Sequence, residues 1–287
     1  MVDNSDIIVF DREQVKHNRE RATANFSDND FLFNWSKDQL SERISDINRS
    51  FTSALQIGSR GCILQGQHNK IDNLITLDLT DKPVQNCGTY IQASEEYLPI
   101  APKSVDLVIS NLALHSVNDL PGTLSQIHGC LKDDGLFVAS MLGGETLYEL
   151  RKIMMEVELS MLDGVSPHIH PFADKLQMGS LLQRANFALP IVDSDVVTVT
   201  YDNIFKLLHD LRNMGEGNAV KQRCKTNFGK EFFMRVAQKY HEEFAENDGR
   251  ITASFEVIFL LGWTPHSSQQ KPLARGSAKY SLAEALK

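Results

Sequence analysis

Residues 104–144, SVDLVISNLALHSVNDLPGTLSQIHGCLKDDGLFVASMLGG, decide the fold class of this 287-residue chain. The apolar run at 105–109 is too short for a helix and ends in polar residues, which predicts a buried strand. Apolar residues then recur at helical spacing over 120–131, and a second apolar run at 136–139 predicts another buried strand. A strand, an amphipathic helix and a strand in this order predict the crossover unit of a parallel sheet.

The turn after the first of these strands is a candidate ligand site, because ligands of open parallel sheets bind beyond the carboxyl ends of the strands. Asn111 and His115 lie in this turn. A histidine titrates near neutral pH and can serve as a general base, so His115 is a weak candidate for catalysis. The competing interpretation is that His115 caps or packs the loop. Glu145 and Tyr148 follow the next strand and are further polar groups within reach of this edge.

The remaining strands and helices follow from the same patterns. Short apolar and β-branched runs predict strands at 53–57, 74–79, 89–93, 192–201 and 255–263. Helical spacing predicts helices at 147–161, 174–185, 204–211 and 232–244. The last two strands are expected to be mutually antiparallel. The predicted fold class is α/β, with a mixed, mostly parallel seven-stranded sheet, an antiparallel last strand and helices on both faces.

The domain organisation follows from the placement of these elements. We expect an N-terminal helical extension at 1–50, because this region precedes the first strand and is mostly helical in pattern. One domain is predicted at 51–265, with a helical insertion at about 202–247. The polar segment 266–287 is predicted as a C-terminal tail that folds back over the site or stays loose.

Composition and charge narrow the function classes. The apolar content of 42% supports a full hydrophobic core, and the net charge of −8 argues against nonspecific nucleic-acid binding. No apolar stretch approaches the ~20 residues of a transmembrane helix, and the N-terminus lacks the features of a signal peptide. The expected location is a bacterial cytoplasm, or the mitochondrial matrix for an organellar protein without its transit peptide.

Three groups of residues carry specific expectations. Two histidines in a proline-flanked loop, His168 and His170, are predicted to form a substrate loop rather than a metal site, because no third ligand is nearby. The cysteines are widely spaced and are expected to be reduced: Cys62, Cys87, Cys130 and Cys224. Basic residues of the first helix are expected to form a solvent-exposed face, with guidance of an acidic partner as the alternative: Arg12, Lys16, Arg19 and Arg21.

A cofactor site is predicted at the ends of the first two strands. Gly58 follows the first strand, where a nucleotide-like cofactor loop is expected. Asp78 lies near the end of the second strand, and a carboxylate at this position can accept both hydrogen bonds of a ribose diol. A loop or capping role for Asp78 is the alternative.

The chain resembles the S-adenosylmethionine-dependent methyltransferase superfamily, specifically its BioC-like members and the mitochondrial complex I assembly factors of that fold. The resemblance runs almost end to end and is carried by FDREQVKHNRERA, EEYLPI, SNLALHSVNDLPGTLSQIHGCLKDDG, MLGGETLYELR, SPHIHPF, LLQRANF, DLRNMGEGNA, GWTPHSSQQKP and RGSAK. It implies a Rossmann-like class I methyltransferase fold. It also implies S-adenosylmethionine as cofactor, held by Gly58, Asp78, Ser94, Glu95 and Asn111.

The activity implied by the resemblance is arginine hydroxylation, on the quinone-adjacent iron–sulfur subunit of complex I. No pair of histidines with a carboxylate can be assigned to iron from spacing. The cofactor loop departs from the family pattern, because Gln56 replaces an acid and Arg60 is bulky in a loop that usually carries glycine. Ser94 stands where the family usually has an aspartate. Three contacts weakened by ~1 kcal/mol each predict on the order of a hundredfold loss of cofactor affinity.

Three functions are consistent with these residues. The first is an enzyme of the S-adenosylmethionine-dependent methyltransferase class that modifies a protein side chain during complex I assembly. The second is a small-molecule O-methyltransferase acting on a malonyl thioester, in which the protein aligns an oxygen nucleophile with the activated methyl group. The third is a non-catalytic assembly factor with a degenerate cofactor loop.

Overall fold

The computed structural model describes residues 8–64, 71–84, 87–162, 164–226, 228–270 and 277. Within them the strands are β1 Phe51–Ile57, β2 Ile71–Asp78, β3 Thr89–Gln92, β4 Val105–Asn111, β5 Leu131–Leu142, β6 Ala188–Tyr201 and β7 Ile251–Trp263. The helices are α1 Arg12–Ala22, α2 Phe31–Ser45, α3 Leu120–Cys130, α4 Tyr148–Met161, α5 Lys175–Arg184, α6 Ile204–Asn213 and α7 Gly229–Phe244. None of the described helices combines the length and apolar character that crossing a bilayer requires.

The strands form one mixed sheet in the order β3-β2-β1-β4-β5-β7-β6. Strands β1 to β5 pair in parallel, whereas β7 pairs antiparallel with both β5 and β6. The predicted α/β fold with a mostly parallel sheet and an antiparallel last strand is therefore confirmed. This order places the carboxyl ends of β1, β2, β3 and β4 side by side at one edge of the sheet.

Several elements are longer than their patterns predict. Strand β6 begins at Ala188 and β7 at Ile251, because the two strands pair over their full length even where β6 alternates between solvent-facing and half-buried residues. The Lys-Asp-Asp-Gly segment at 132–135, which lies between the predicted helix and the apolar run at 136–139, is the irregular start of β5, with Asp134 at a φ of 62°. Residues 65–70, where the first crossover of the sheet would carry a helix but the Gln-Gly-Gln-His-Asn-Lys sequence is a poor helix former, lie outside the described residues.

Two hydrophobic clusters cover the two faces of the sheet. Because successive side chains of a strand point to opposite faces of the sheet, Leu107 and Leu136 lie on one face and Val108 and Phe137 on the other. The first face is covered by α2, α4, α6 and α7, and the second by α3 and α5. Helices therefore lie on both faces, as the sequence predicts. Loops and α1 cover the edge of the sheet at the carboxyl ends of the parallel strands.

The expectation that all cysteines are reduced is wrong for one pair. Cys62 and Cys87 form a disulfide with a Cα–Cα distance of 5.7 Å, while Cys130 and Cys224 are free. The two bonded cysteines are 25 residues apart in sequence, and their spacing carries no pairing pattern. Cys62 precedes β2 and Cys87 follows it, and the tertiary fold brings the two residues together.

Gly58 closes the turn after β1 against the turn after β4. Its φ is +93°, its N–H donates to Leu77 O at 2.8 Å, and a Cβ added to it would lie 2.8 Å from Ala113 Cβ. Gly61, in the same loop, has a φ of +99° but no heavy atom within 4 Å of an added Cβ. The two glycines share backbone strain but differ in crowding.

We expect Gly58→Ala to lower the free energy of unfolding by about 3 kcal/mol, since it combines an unfavourable φ with overpacking. Gly61→Ala is the matched control, and it should cost only about 1 kcal/mol because it adds the φ strain without the clash. Urea denaturation of both variants measures the difference. Equal losses would show that contact with Ala113 does not constrain the loop.

Candidate active site

Asp78 lies at the end of β2, and both of its carboxylate oxygens are engaged by protein groups. Its Oδ2 accepts hydrogen bonds from Ser59 N at 2.7 Å and Ser59 Oγ at 2.8 Å. Its Oδ1 accepts from Arg19 Nη1 at 3.0 Å, and the Asp78 side chain is only 1% exposed. The carboxylate predicted to receive a ribose diol therefore binds the cofactor loop and an arginine of α1.

Glu95 follows β3 and is held by two arginines of the same helix. Arg19 Nη1 donates to Glu95 Oε1 at 2.6 Å, and Arg12 Nη2 donates to Glu95 Oε2. The side chains of Glu95 and Arg19 are 0% and 3% exposed. The predicted solvent-exposed basic face is therefore wrong for Arg19, because the tertiary fold directs this arginine between two carboxylates.

Helix α1 is fixed in this position by contacts outside the sheet. The side chain of Asp11 caps its first turn, and Asp11 N donates to Ala219 O at 2.8 Å. Asn18 Nδ2 donates to Gly217 O at 2.8 Å. The helix is thus tied to the segment after α6, and this attachment places Arg19 over the strand ends.

The two buried carboxylates remain ionised for a clear electrostatic reason. Burial alone would raise the pKa of Asp78, but Arg19, the Ser59 hydrogen bonds and Arg60 outweigh it and lower the pKa. Burial likewise opposes the charge of Glu95, and Arg19 and Arg12 lower its pKa despite the nearby Asp78. The two carboxylates, Glu95 and Asp78, in turn raise the pKa of Arg19 despite its burial.

The loop after β1 is closed by Gln56. Its Nε2 donates to Gly58 O at 2.8 Å and to Gly61 O at 3.0 Å, and its Oε1 accepts from Ile63 N. A carboxylate could not donate to these two carbonyl oxygens. Glutamine in place of the family acid is therefore suited to a loop that folds on itself.

Arg60 and Glu216 form a second buried ion pair beside the first. Arg60 Nη1 lies 2.5 Å from Glu216 Oε1, and His115 Nε2 lies 2.9 Å from Glu216 Oε2. Burial opposes the charge of Glu216, but His115 and Arg60 bring its pKa far below the usual range. His115 thus packs in the loop with a carboxylate partner, and Glu216 is a site residue that the sequence analysis missed. The only sequence indication was its place in the family segment DLRNMGEGNA.

The other predicted cofactor residues also bond to protein groups. Asn111 Nδ2 donates to Phe33 O at 2.9 Å, and Asn111 Oδ1 accepts from Ser140 Oγ at 3.0 Å. Ser94 Oγ accepts a hydrogen bond from Glu96 N at 3.2 Å. The structure therefore brings Asp78 and Glu95 together through Arg19, whereas Asn111 joins β4 to α2 and β5, and Ser94 bonds within its own loop.

In this arrangement the site residues do not fit S-adenosylmethionine. Arg19 lies between the two carboxylates that would face the adenosine, and Ser59 already donates twice to Asp78. Entry of the cofactor would have to break these ion pairs, and a buried carboxylate left without its partner costs about 3–5 kcal/mol. Binding of the cofactor by Gly58, Asp78, Ser94, Glu95 and Asn111 stays a prediction.

The two histidines of the proline-flanked loop each have a protein partner. His168 Nε2 lies 2.8 Å from Glu158 Oε2, and His170 Nε2 accepts a hydrogen bond from Ala219 N at 2.9 Å. Burial lowers the pKa of His170 to about 4, with Glu216 opposing and His115 reinforcing the shift. Among the described residues, no three histidine, cysteine, aspartate or glutamate side chains are grouped to hold a metal.

Two cavities flank the Arg60–Glu216 pair. An apolar cavity of about 220 Å³ is bounded largely by aliphatic and aromatic side chains of α4, α6 and the histidine loop, with Glu216 and His170 in its wall. A polar cavity of about 380 Å³ lies on the other side and is lined by Asp30, Phe33 and Arg60, among others. The apolar cavity therefore has an ionised carboxylate at one wall.

Comparison with known proteins identifies one matching domain family and two kinds of similar protein. Residues 55–139 match the methyltransferase domain family. The chain is 36% identical over 286 residues to "Arginine-hydroxylase NDUFAF5, mitochondrial" of Danio rerio, which covers 96% of this chain and 89% of that protein. It is 36% identical to the malonyl-[acyl-carrier protein] O-methyltransferase of Gallionella capsiferriformans, but over only 60% of this chain and 57% of that protein.

One solved structure illustrates the shared fold. It is phosphoethanolamine N-methyltransferase 2 of Haemonchus contortus, in complex with phosphomonomethylethanolamine and S-adenosylhomocysteine. Its TM-score to this chain is 0.52 at 13% identity, over 88% of this chain and 61% of that chain. The fold is therefore that of methyltransferases.

We expect the stability of the protein to fall from pH 6.5 towards pH 4 through His170, because the unfolded state takes up a proton that the buried imidazole refuses. Because the pKa of His170 is lowered in the folded protein, the contribution of this residue to the free energy of unfolding is fully present above pH 6.5. Acidification removes up to about 3 kcal/mol of it. His170→Gln keeps an acceptor for Ala219 N without titrating. Unfolding free energies measured across this range should therefore decline less in this variant than in the wild type.

His241→Asn at an exposed position of α7 is the matched control for the removal of a histidine. A His170→Gln profile that parallels the wild type would assign the acid sensitivity to other groups.

Proposed function

This chain belongs to the family of the arginine-hydroxylase NDUFAF5, whose members share the methyltransferase fold, and we propose that it acts on an arginine side chain of a partner protein during assembly of respiratory complex I. The resemblance to the mitochondrial complex I assembly factors motivates the partner, with the quinone-adjacent iron–sulfur subunit as the candidate. The place of action is then the bacterial cytoplasm or the mitochondrial matrix, where such a subunit is exposed before it is assembled.

The observation that carries this proposal is the ionised, buried Glu216 in the wall of an apolar cavity. An arginine side chain has an apolar stem and a permanently charged planar end. The cavity has mostly aliphatic and aromatic walls that suit the stem, and Glu216 is its one carboxylate, although Arg212, His168 and His170 also line it. In the free protein Glu216 is paired with Arg60 and His115, so the cation of the substrate would take the place of Arg60 at this carboxylate, while the walls exclude water from the stem.

The position of Glu216 in the chain favours a protein side chain over a small thioester as substrate. Glu216 lies outside the matched methyltransferase domain at 55–139. The relative named for arginine hydroxylation aligns with 96% of the chain, whereas the malonyl-thioester methyltransferase aligns with 60%. The small-molecule O-methyltransferase is therefore the less favoured function.

The roles assigned to this chain are binding and orientation. Glu216 binds the guanidinium, His115 holds the second oxygen of Glu216, and the cavity walls position the stem of the substrate arginine. No step is assigned to S-adenosylmethionine, because the residues at the strand ends are engaged by Arg19 and Ser59. An activity of the transferase class or arginine hydroxylation would act on the arginine oriented in this way.

A non-catalytic assembly factor is the second candidate function, and the ion pairs of Arg19 favour it. Arg19 fills the space between Asp78 and Glu95 with a cation from the chain itself. A protein that needed S-adenosylmethionine would have to open this site in every cycle. Recognition of an arginine at Glu216 is common to both candidates, whereas cofactor binding separates them.

We expect Glu216→Gln to abolish complementation in cells that lack their own assembly factor, because an amide cannot neutralise the guanidinium of the partner. The readouts are NADH:ubiquinone oxidoreductase activity of the membranes and the mass of complex I peptides, searched for one added oxygen atom or methyl group on arginine. Glu246→Gln at an exposed turn is the matched control and should complement fully. Normal complex I activity with folded Glu216→Gln would refute the proposal.

Isothermal titration with S-adenosylhomocysteine separates the two candidates. The ligand must displace Arg19 from two buried carboxylates, so the absence of saturable heat from the wild-type protein at millimolar ligand would favour the non-catalytic assembly factor. Saturable binding that is lost in Asp78→Ala would instead establish a working cofactor site. The enzyme of the transferase class would then be favoured over the non-catalytic assembly factor.

A further inference from the structure

The guanidinium of Arg60 lies in a cradle built by other parts of the chain. Arg60 Nη2 donates to Leu112 O at 2.6 Å, and Arg60 Nη1 donates to Met214 O at 3.0 Å and to Glu216 Oε1 at 2.5 Å. The Arg60 Cζ atom lies 4.4 Å from the centroid of the Phe33 ring. Two carbonyl oxygens, a carboxylate and an aromatic face thus surround one planar cation.

The cradle is specific for the shape of a guanidinium. A guanidinium carries its donors in one plane and stacks on aromatic rings, whereas an ammonium is a compact point charge. Phe33 belongs to α2, Leu112 follows β4, and Met214 and Glu216 follow α6. None of these groups is a neighbour of Arg60 in sequence, so the cradle does not depend on the backbone of Arg60.

Arg60 does not satisfy all of its hydrogen-bond donors within the cradle. Its Nε is buried without a hydrogen-bond partner among the described residues. It lies in the irregular loop between Gly58 and Gly61, both of which have positive φ. The polar cavity beside it, lined by Asp30 and Lys37 among others, offers space for the side chain outside the cradle.

Arg60 connects the linings of the two cavities described above, because it lines the polar cavity and pairs with Glu216 of the apolar one. Met214 and Glu216 line the apolar cavity, while Phe33 and Arg60 line the polar one. Withdrawal of Arg60 would leave the cradle facing the apolar cavity, where the stem of an incoming arginine can lie. Exchange of one guanidinium for another keeps Glu216 paired throughout and avoids an uncompensated buried charge.

We propose that the cradle formed by Phe33, Leu112 O, Met214 O and Glu216 is the binding site for the guanidinium of the partner protein's arginine, and that Arg60 occupies it in the free protein. This inference rests on the proposed function, whose substrate class it specifies by the atoms that bind it. Arg60 is then a positioning residue that keeps the site charge-balanced until the partner arrives.

Chemical rescue of Arg60→Ala tests the cradle directly. The variant should unfold at a lower temperature than the wild type, because Glu216 loses its arginine. N-ethylguanidinium at low millimolar concentration should restore the melting temperature saturably, while ethylammonium should be weaker by on the order of tenfold. The wild type, with its cradle filled, should show no such stabilisation.

Two controls make the rescue specific. Arg43→Ala removes an arginine that also stacks on a phenylalanine, 4.0 Å from the Phe259 ring, and also pairs with a carboxylate, Asp193, but at the surface. It should not respond to N-ethylguanidinium. The double variant Arg60→Ala/Glu216→Gln should lose the rescue. If Arg60→Ala does not fold, Arg60→Gln, which keeps hydrogen-bonding groups, takes its place.

The outcomes separate the cradle from the proposed function. Folded Arg60 variants that show no rescue, or equal rescue by ethylammonium, overturn the cradle, and loss of complementation by Glu216→Gln would still support the proposed function. Rescue together with normal complementation by Glu216→Gln would confirm a guanidinium site but refute its role in complex I assembly.

Discussion

The position of Arg19 between Asp78 and Glu95 is the interaction on which the rest of the site depends. It joins α1 to the ends of β2 and to the loop after β3, and all three side chains are buried. A buried ion pair contributes little net stability, because desolvation offsets the attraction, but removal of one partner is strongly destabilising. Once Arg19 is in place, α1 cannot leave without exposing two uncompensated carboxylates.

The neighbouring charges complete a balanced set. Arg12 shares Glu95 with Arg19, while Arg60 pairs with Glu216, so that arginine and carboxylate alternate along the carboxyl ends of the strands. The attachment of α1 to 217–219 connects the two ion-pair groups, because that segment directly follows Glu216. The segment that holds α1 over the strand ends is therefore continuous with the residue that pairs with Arg60.

This arrangement separates fold from function. The sheet order and the helices are those of the methyltransferase fold, which supports many chemistries, and function has to be argued from the side chains at the strand ends. Those side chains favour recognition of a cation. Gln56 and Arg60, which depart from the family's cofactor loop, and Ser59 between them all bond to protein groups in a closed loop. The departures are therefore mutually consistent and form a single structural unit.

The sequence by itself determined the α/β class, the approximate strands and the edge at which the site lies. Hydrophobic periodicity is a local property, so runs such as 105–109 and 136–139 reveal buried strands without tertiary information. It also placed Asp78 near the end of one predicted strand and His115 after another, and the family resemblance added Glu95. Only the tertiary structure decided their partners. Arg19 is 59 residues from Asp78, and Glu216 is 101 residues from His115. Burial and pairing of charges depend on such long-range contacts, which no local pattern encodes, and for the same reason the Cys62–Cys87 bond and the cradle around Arg60 appear only in the folded chain.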